Sequence, residues 1–290
     1  MQELALKALA KINLALDVLG KRENGYHDVR MVMQTIYLYD DVKLKKTGEA
    51  GIDLKTNLPF LPVNENNIAY KAAKLLMEEF SLQGGIEIEL FKRIPVAAGL
   101  AGGSTNAAAV LYGMNRMYGL GLSLKELMER GVKLGADVPY CLMRGTVLAE
   151  GIGEMLTPLP PVPKCYVLIA KPGINVSTKL VYEKLDAKEI VEHPDIDALI
   201  LGLEENDIKK VAGSMGNVLE KVTIEDYPVI EEIKSVMKNE GALGSMMSGS
   251  GPTVFGLFEK QSPAKRAYEK LKRQGLAKQI CLTKMHNTRR

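Results

Sequence analysis

Leu4, Leu6, Ala8, Ala10, Ile12, Leu14, Leu16 and Val18 occupy alternate positions near the start of the chain, with Lys7, Lys11, Asn13 and Asp17 between them. A period of two is that of a β-strand with one apolar face, and it sets Lys11 and Asn13 on the opposite face. A helix is the rival reading, because Ala and Leu favour helices; the sustained alternation decides for a strand. Lys21-Arg22-Glu23-Asn24-Gly25 predicts a hairpin turn, since Asn-Gly accepts positive φ, and strand character resumes over 29–38. Residues 68–80 show a helical pattern that Asn66 or Asn67 would cap. Ile86, Ile88 and Leu90 alternate with Glu87 and Glu89, which predicts a half-exposed strand over 86–92. An Ala-rich helix is expected over 104–118 and a buried strand over 166–170. A helix opened by Pro228 and ended near Gly241 is expected over 228–239. A short strand over 254–258 and a charged helix over 263–274 complete the pattern. Thr157-Pro158-Leu159-Pro160-Pro161-Val162-Pro163 supports neither helix nor central strand. It is the predicted boundary between a domain of residues 1–157 and one of 158–290.

The 290 residues suffice for two such domains, and 46% apolar with 25% charged residues is ordinary globular composition. A net charge of +3 and the lack of tryptophan argue against a nucleic-acid binder. Cys141, Cys165 and Cys281 stand far apart, as do His27, His193 and His286. That pattern predicts reduced thiols in a cytoplasmic setting, with neither a disulfide framework nor a His/Cys metal site. Glu3 and Lys7 fall where a secretory leader would need an apolar core, so none is expected. Residues 94–115 carry no charge, yet Pro95, four glycines, Ser104, Thr105 and Asn106 make them a poor membrane span. No membrane contact and no obligate protein partner are expected.

That uncharged stretch contains Pro95-Val96-Ala97-Ala98-Gly99-Leu100-Ala101-Gly102-Gly103-Ser104-Thr105, a small-residue loop between a strand and a helix. Such a loop lets backbone N–H groups turn toward an anion, with the helix dipole behind them. It lacks the Gly-Lys-Ser/Thr of a Walker loop and the glycine spacing of a dinucleotide turn; an ordinary strand–helix connection is the bland alternative. In Gly135-Ala136-Asp137-Val138-Pro139, one acid sits in apolar surroundings, as a base or an orienter would, although Asp is also a favoured helix cap. Met247-Ser248-Gly249-Ser250-Gly251-Pro252-Thr253 is a Ser/Gly loop before an apolar strand. It is either a phosphate-binding nest or a mobile hairpin. Lys11 on a polar strand face is most simply a solvated lysine.

In this order the segments resemble the GHMP superfamily of small-molecule kinases, the group that includes galactokinase, homoserine, mevalonate and phosphomevalonate kinases. Pro-x-x-x-Gly-Leu-x-Gly-Gly-Ser-x-Asn-Ala-Ala is similar to their ATP loop and Gly-Ser-Gly-Pro-Thr to their third motif. Ala10-Lys11-Ile12-Asn13, Gly25-Tyr26-His27, Gln34-Thr35, Gly145-Thr146 and Gly151-Ile152-Gly153-Glu154 extend the resemblance across residues 10–253. Gly-Tyr-His and Gly-Ala-Asp-Val-Pro resemble the branch that phosphorylates a cytidine-diphosphate alcohol.

The resemblance implies a two-domain α+β fold, with an N-terminal ATP-binding domain, a C-terminal ferredoxin-like α/β sandwich, and the site between them. It implies ATP and a cytidine-diphosphate alcohol as substrates and Mg²⁺ carried with the nucleotide. It implies Lys11 and Asp137 as the catalytic pair and residues 95–105 with Asn67 around ATP. Asn13, Tyr26, His27, Thr178, Tyr182, Ser248 and Gly249 are implied around the acceptor, with cytosine between the Tyr26 and Tyr182 rings and His27 on its polar edge. The family loop is usually richer in glycine. Ala97, Ala98 and Ala101 are therefore expected at sites that do not need positive φ. No counterpart is seen of the second acid that holds Mg²⁺ in some relatives. Another kinase of the superfamily, acting on homoserine or phosphomevalonate, and a silent ligand sensor are the alternatives. Tyr26-His27 speaks against the first, and the presence of both Lys11 and Asp137 against the second.

Overall fold

The computed structural model describes all residues except Asn24, Ala187 to Glu189, Val191 and Arg290. The Asn24 half of the predicted Asn-Gly turn therefore lies outside the described residues. Among these, the chain runs β1 (Glu3–Lys21), β2 (His27–Thr47), β3 (Gly51–Thr56), α1 (Ile68–Glu79), β4 (Gly85–Phe91), α2 (Gly102–Tyr118), α3 (Leu124–Val132), α4 (Val138–Met143), β5 (Thr146–Glu150) and β6 (Met155–Pro158). It continues β7 (Tyr166–Lys171), α5 (Thr178–Asp186), α6 (Ile196–Glu204), α7 (Ile208–Gly213), β8 (Gly216–Asn217), α8 (Glu220–Asp226), α9 (Val229–Asn239), β9 (Gly244–Met247), β10 (Val254–Phe258), α10 (Gln261–Gln274) and β11 (Gln279–Lys284).

Two sheets organise the molecule. One has the order β3-β4-β2-β1-β8, with β5 on β2 and β6 on β5; the other is the antiparallel β11-β7-β10-β9. The prolines after β6 carry the chain from the first sheet to the second. The halves also interleave, because β8 pairs parallel to β1 and Met285 bridges back to Ile36 in β2.

β1 shows how the sequence pattern and the fold diverge. Period two holds, yet residues 8–18 are buried throughout, polar ones included. The pairing with β2 shifts between Leu9 and Lys11 and again between Asn13 and Ala15. A one-residue shift exchanges the faces of a strand. Ala8, Leu16 and Val18 accordingly join the core under α1 and α2, while Ala10, Ile12 and Leu14 join the core shared with β7, β10 and α6. Lys11 is 5% exposed and Asn13 0%, which corrects the solvated-lysine reading.

Asn67 caps α1 by accepting from the Ala69 N–H, as expected of an Asx cap. α2 begins two residues earlier than its composition predicts, at Gly102. α9 follows Pro228, and α10 begins at Gln261.

Candidate active site

A cleft of about 670 Å³ opens between the two halves and is lined by Lys11, Asn13, Tyr26, His27, Asp137, Thr178, Tyr182 and Gly249, among others. A second cavity of about 340 Å³ adjoins it and is lined by Asn67, Lys92, Pro95, Val96, Gly102 and Gly103. Ala97, Ala98, Gly99 and Ala101 line both. The small-residue loop is thus the partition between two spaces.

The loop holds its shape by backbone strain and close contact. Ala97 and Ala101 have φ of 49° and 55°, overturning the expectation that these sites need no positive φ. A left-handed alanine costs on the order of 1–2 kcal/mol, which the surrounding contacts must offset. Ala101 is the N-cap of α2 and has no side-chain oxygen to cap with. The first amides of α2 are therefore left for a ligand, at the positive end of a 17-residue helix. At Gly99, φ is +71° and an added Cβ would lie 2.0 Å from the Ser248 carbonyl oxygen, so only glycine fits. Leu100 is buried and its carbonyl accepts from the Lys11 N–H at 3.2 Å.

The base of the loop rests on a buried ion pair that the sequence pattern does not single out. Asp40, fully buried, accepts from Lys92 Nζ, the Asn106 side chain and the Arg93 and Ile94 N–H groups. Lys92 also donates to Asn106 Oδ1 and the Gly102 carbonyl. Charge and hydrogen bonds are both satisfied, as a buried carboxylate requires.

Lys11 and Asp137 meet across the cleft, Nζ to Oδ2 at 3.6 Å, with side chains 6% and 31% exposed. Lys11 also donates to Asn13 Oδ1 at 2.7 Å. Asp137 sits at the N-cap position of α4 yet makes no side-chain cap bond. The capping alternative is thus not what occupies its carboxylate.

Ser248 lies beneath the wall, fully buried. Its hydroxyl donates to the Gly99 carbonyl at 2.9 Å and accepts from the Asn13 N–H at 3.3 Å. Asn217 donates to the Met247 and Gly249 carbonyls, and the Thr178 and Ser250 hydroxyls pair at 2.7 Å. The Ser/Gly loop is therefore a tethered element, and the mobile-hairpin reading falls. Thr105 is also buried.

At the far end, the Tyr182 ring lies 4.7 Å from that of His27, tilted by 36°, while Tyr26 is exposed on the hairpin. Burial pushes the Tyr182 hydroxyl up to about 12, so the ring stays neutral. Asp186 bonds both Lys21 and His27. The Lys21 ammonium first, and His27 second, hold its carboxyl below the usual range. Asp186 and Lys21 escaped sequence reading. Asp186 is one charged residue among Glu183, Lys184 and Asp186 on a polar helix, and no spacing rule marks it.

Among the described residues no cluster of three or more His, Cys, Asp or Glu side chains forms a metal cage, and no helix is long and apolar enough to cross a membrane.

Residues 67–145 match the family description GHMP kinases N terminal domain and residues 199–277 match GHMP kinases C terminal. A protein of Lachnospira eligens named 4-diphosphocytidyl-2-C-methyl-D-erythritol kinase is 58% identical over 283 residues, covering 98% of each chain. One of the same name from Lachnoclostridium phytofermentans is 55% identical and covers 100% of this chain and 99% of its own. A crystal structure of 4-(cytidine 5'-diphospho)-2C-methyl-D-erythritol kinase superposes with a TM-score of 0.84 at 32% identity, over 98% of this chain and 100% of that one. Homoserine kinase from Cytophaga hutchinsonii shares the fold, with a TM-score of 0.82 at 22% identity over 99% and 96% of the two chains.

Proposed function

The chain belongs to the GHMP kinase family, and on that premise we propose that it transfers the γ-phosphoryl group of ATP to the 2-hydroxyl of 4-diphosphocytidyl-2-C-methyl-D-erythritol. The products are the 2-phosphate and ADP, a step in the methylerythritol phosphate route to isoprenoid precursors. The relatives that carry this name match nearly the whole chain. The observation that carries the reading is the convergence, in one cleft, of Lys11, Asp137 and an uncapped helix start behind a small-residue loop.

ATP phosphates would be held by the loop amides and the start of α2, with the nucleoside in the adjoining cavity beside Asn67. The Asn67 side chain is already engaged, accepting from Ala69 and donating to the Pro62 carbonyl, so it bounds that cavity as a fixed wall. The cytidine end of the acceptor would lie toward Tyr26, His27 and Tyr182. Asp137 orients the acceptor hydroxyl and takes its proton, because its carboxylate is uncapped and opens on the cleft. Lys11 has one donor on Asn13 and further N–H groups for the phosphoryl oxygens as charge moves onto them. Mg²⁺ bound to the nucleotide would supply charge neutralisation there, held by phosphate oxygens and water as its octahedral preference allows. Positioning of the two substrates supplies most of the acceleration. The domain division at 157/158, which falls one residue before β6 ends and the chain changes sheet, and a cytoplasmic setting belong to the same reading.

Coupled detection of ADP formation tests it. ADP should form only when the cytidine-diphosphate alcohol is present. Turnover on homoserine or phosphomevalonate in its place would move the chain to another branch, and ATP binding without any turnover would make it a sensor.

A further inference from the structure

The β1–β2 hairpin and α5 come from opposite halves of the chain, and they meet at one carboxylate. Asp186, the last residue of α5, takes His27 Nε2 on Oδ1 at 2.6 Å and Lys21 Nζ on Oδ2 at 2.6 Å. All three residues line the cleft. The imidazole is 9% exposed and rests on Tyr182, one turn earlier on the same helix. An imidazole fixed at one edge and one face has a single orientation.

A carboxylate only accepts, so the proton of the His27–Asp186 bond sits on Nε2. Lys21 holds the other carboxylate oxygen, so the imidazole meets Asp186 through Nε2 alone and, in its neutral form, keeps its one proton there. Nδ1 then carries a bare lone pair. No hydrogen bond between described residues is made at Nδ1, and His27 lines the cleft.

We infer that Asp186 is a specificity-determining positioning residue: by fixing the His27 tautomer it makes Nδ1 an acceptor that selects a base bearing an exocyclic amine. This rests on the reading that His27 faces the pyrimidine of the acceptor. Cytosine offers an N4 amine there, whereas uracil offers the O4 acceptor. Against uracil two lone pairs face each other and both groups lose a partner. One such mismatch is worth about 5- to 150-fold in affinity.

Asp186→Asn keeps the shape and removes the constraint. An amide NH₂ can donate to Nε2, which moves the ring proton to Nδ1 and turns it into a donor. The measurement is KM and kcat for the cytidine substrate and for its uridine counterpart, at saturating ATP. The unaltered enzyme should prefer cytidine by at least about 5-fold in kcat/KM. D186N should lose most of that preference through KM, with kcat on the cytidine substrate within about twofold, since no group at the reacting atoms changes. Asp186→Glu, again acceptor-only, should restore the preference. If Asp186 merely fastens the hairpin to α5, D186N raises KM for both substrates alike and the ratio holds; the inference then falls and the cytidine reading stands. If the unaltered enzyme uses both bases equally, both fall. His27→Ala probes the reading by itself, since it should erase the preference whatever Asp186 does.

Discussion

The two ends of the cleft are built from different materials. At the end proposed for the phosphates, the partition between the two spaces is Ala97, Ala98, Gly99 and Ala101, followed by Gly102 and Gly103, and none of these six carries a side chain larger than a methyl group. What that end offers is backbone amides, held in place by left-handed residues and by contacts underneath. At the far end, the surface is side chains: Tyr26, His27, Lys21, Asp186 and Tyr182. Backbone amides read a charge and a curvature common to any triphosphate. Side chains with directional donors and acceptors read one base against another. The difference teaches where each kind of error arises: a fault in backbone geometry should disturb affinity for nucleotide, and a fault in side-chain chemistry should disturb the choice of acceptor. Lys11 and Asp137 stand between the two and belong to neither.

The sharpest way to break this division is at its centre. Asp137→Asn keeps the shape and removes the charge, and kcat should fall by at least about 100-fold while the affinities at both ends hardly change. Steady-state kinetics with titration of each substrate checks this, and near-normal turnover would remove Asp137 from the chemistry.

Next in size is Gly99→Ala, which forces a Cβ toward the Ser248 carbonyl at a positive φ. Displacement of the loop by about an ångström should weaken binding of a non-hydrolysable ATP analogue by about 100-fold, with the cytidine substrate still bound. Calorimetric titration of a variant whose circular dichroism shows it folded decides the matter, and unchanged affinity would mean the loop does not carry the phosphates.

The smallest effect is expected from Tyr182→Ala. Loss of a stacking face is worth about 2 kcal/mol, so KM for the cytidine substrate should rise about 30-fold. KM for ATP should stay put. A joint rise in both KM values would show that Tyr182 supports the joint between the halves, and the two-material description would lose its far wall.

Most of the elements were legible in the sequence because their signals are local. The alternation in β1, the Asn cap of α1 and the Pro228 opening of α9 each need only a few neighbouring residues. The candidate site residues were named by resemblance, not by chemistry. Lys11 read alone as a solvated lysine, since nothing nearby reveals the two shifts of pairing that bury it. The left-handed Ala97 and Ala101 were misread for the same reason. Alanine tolerates that conformation only when contacts from elsewhere impose it, and the neighbouring loop residues are held by Ser248 on Gly99, Lys11 on Leu100 and Lys92 on Gly102. Asp40 and Lys92 are separated by 52 residues and His27 and Asp186 by 159; pairs so distant leave no periodic trace.

The Ser248 hydroxyl joins two segments made much earlier, bonding Gly99 across 149 residues and Asn13 across 235. At a synthesis rate of about 5–20 residues per second, the loop emerges roughly 7–30 seconds before the group that holds it down. During that interval the nascent chain carries every small residue of the loop and lacks the Ser248 contact. A half-made chain therefore has the loop and the Asp40–Lys92 pair at its base, without the Ser248 tie. The geometry of an early segment is thus completed by one synthesised much later.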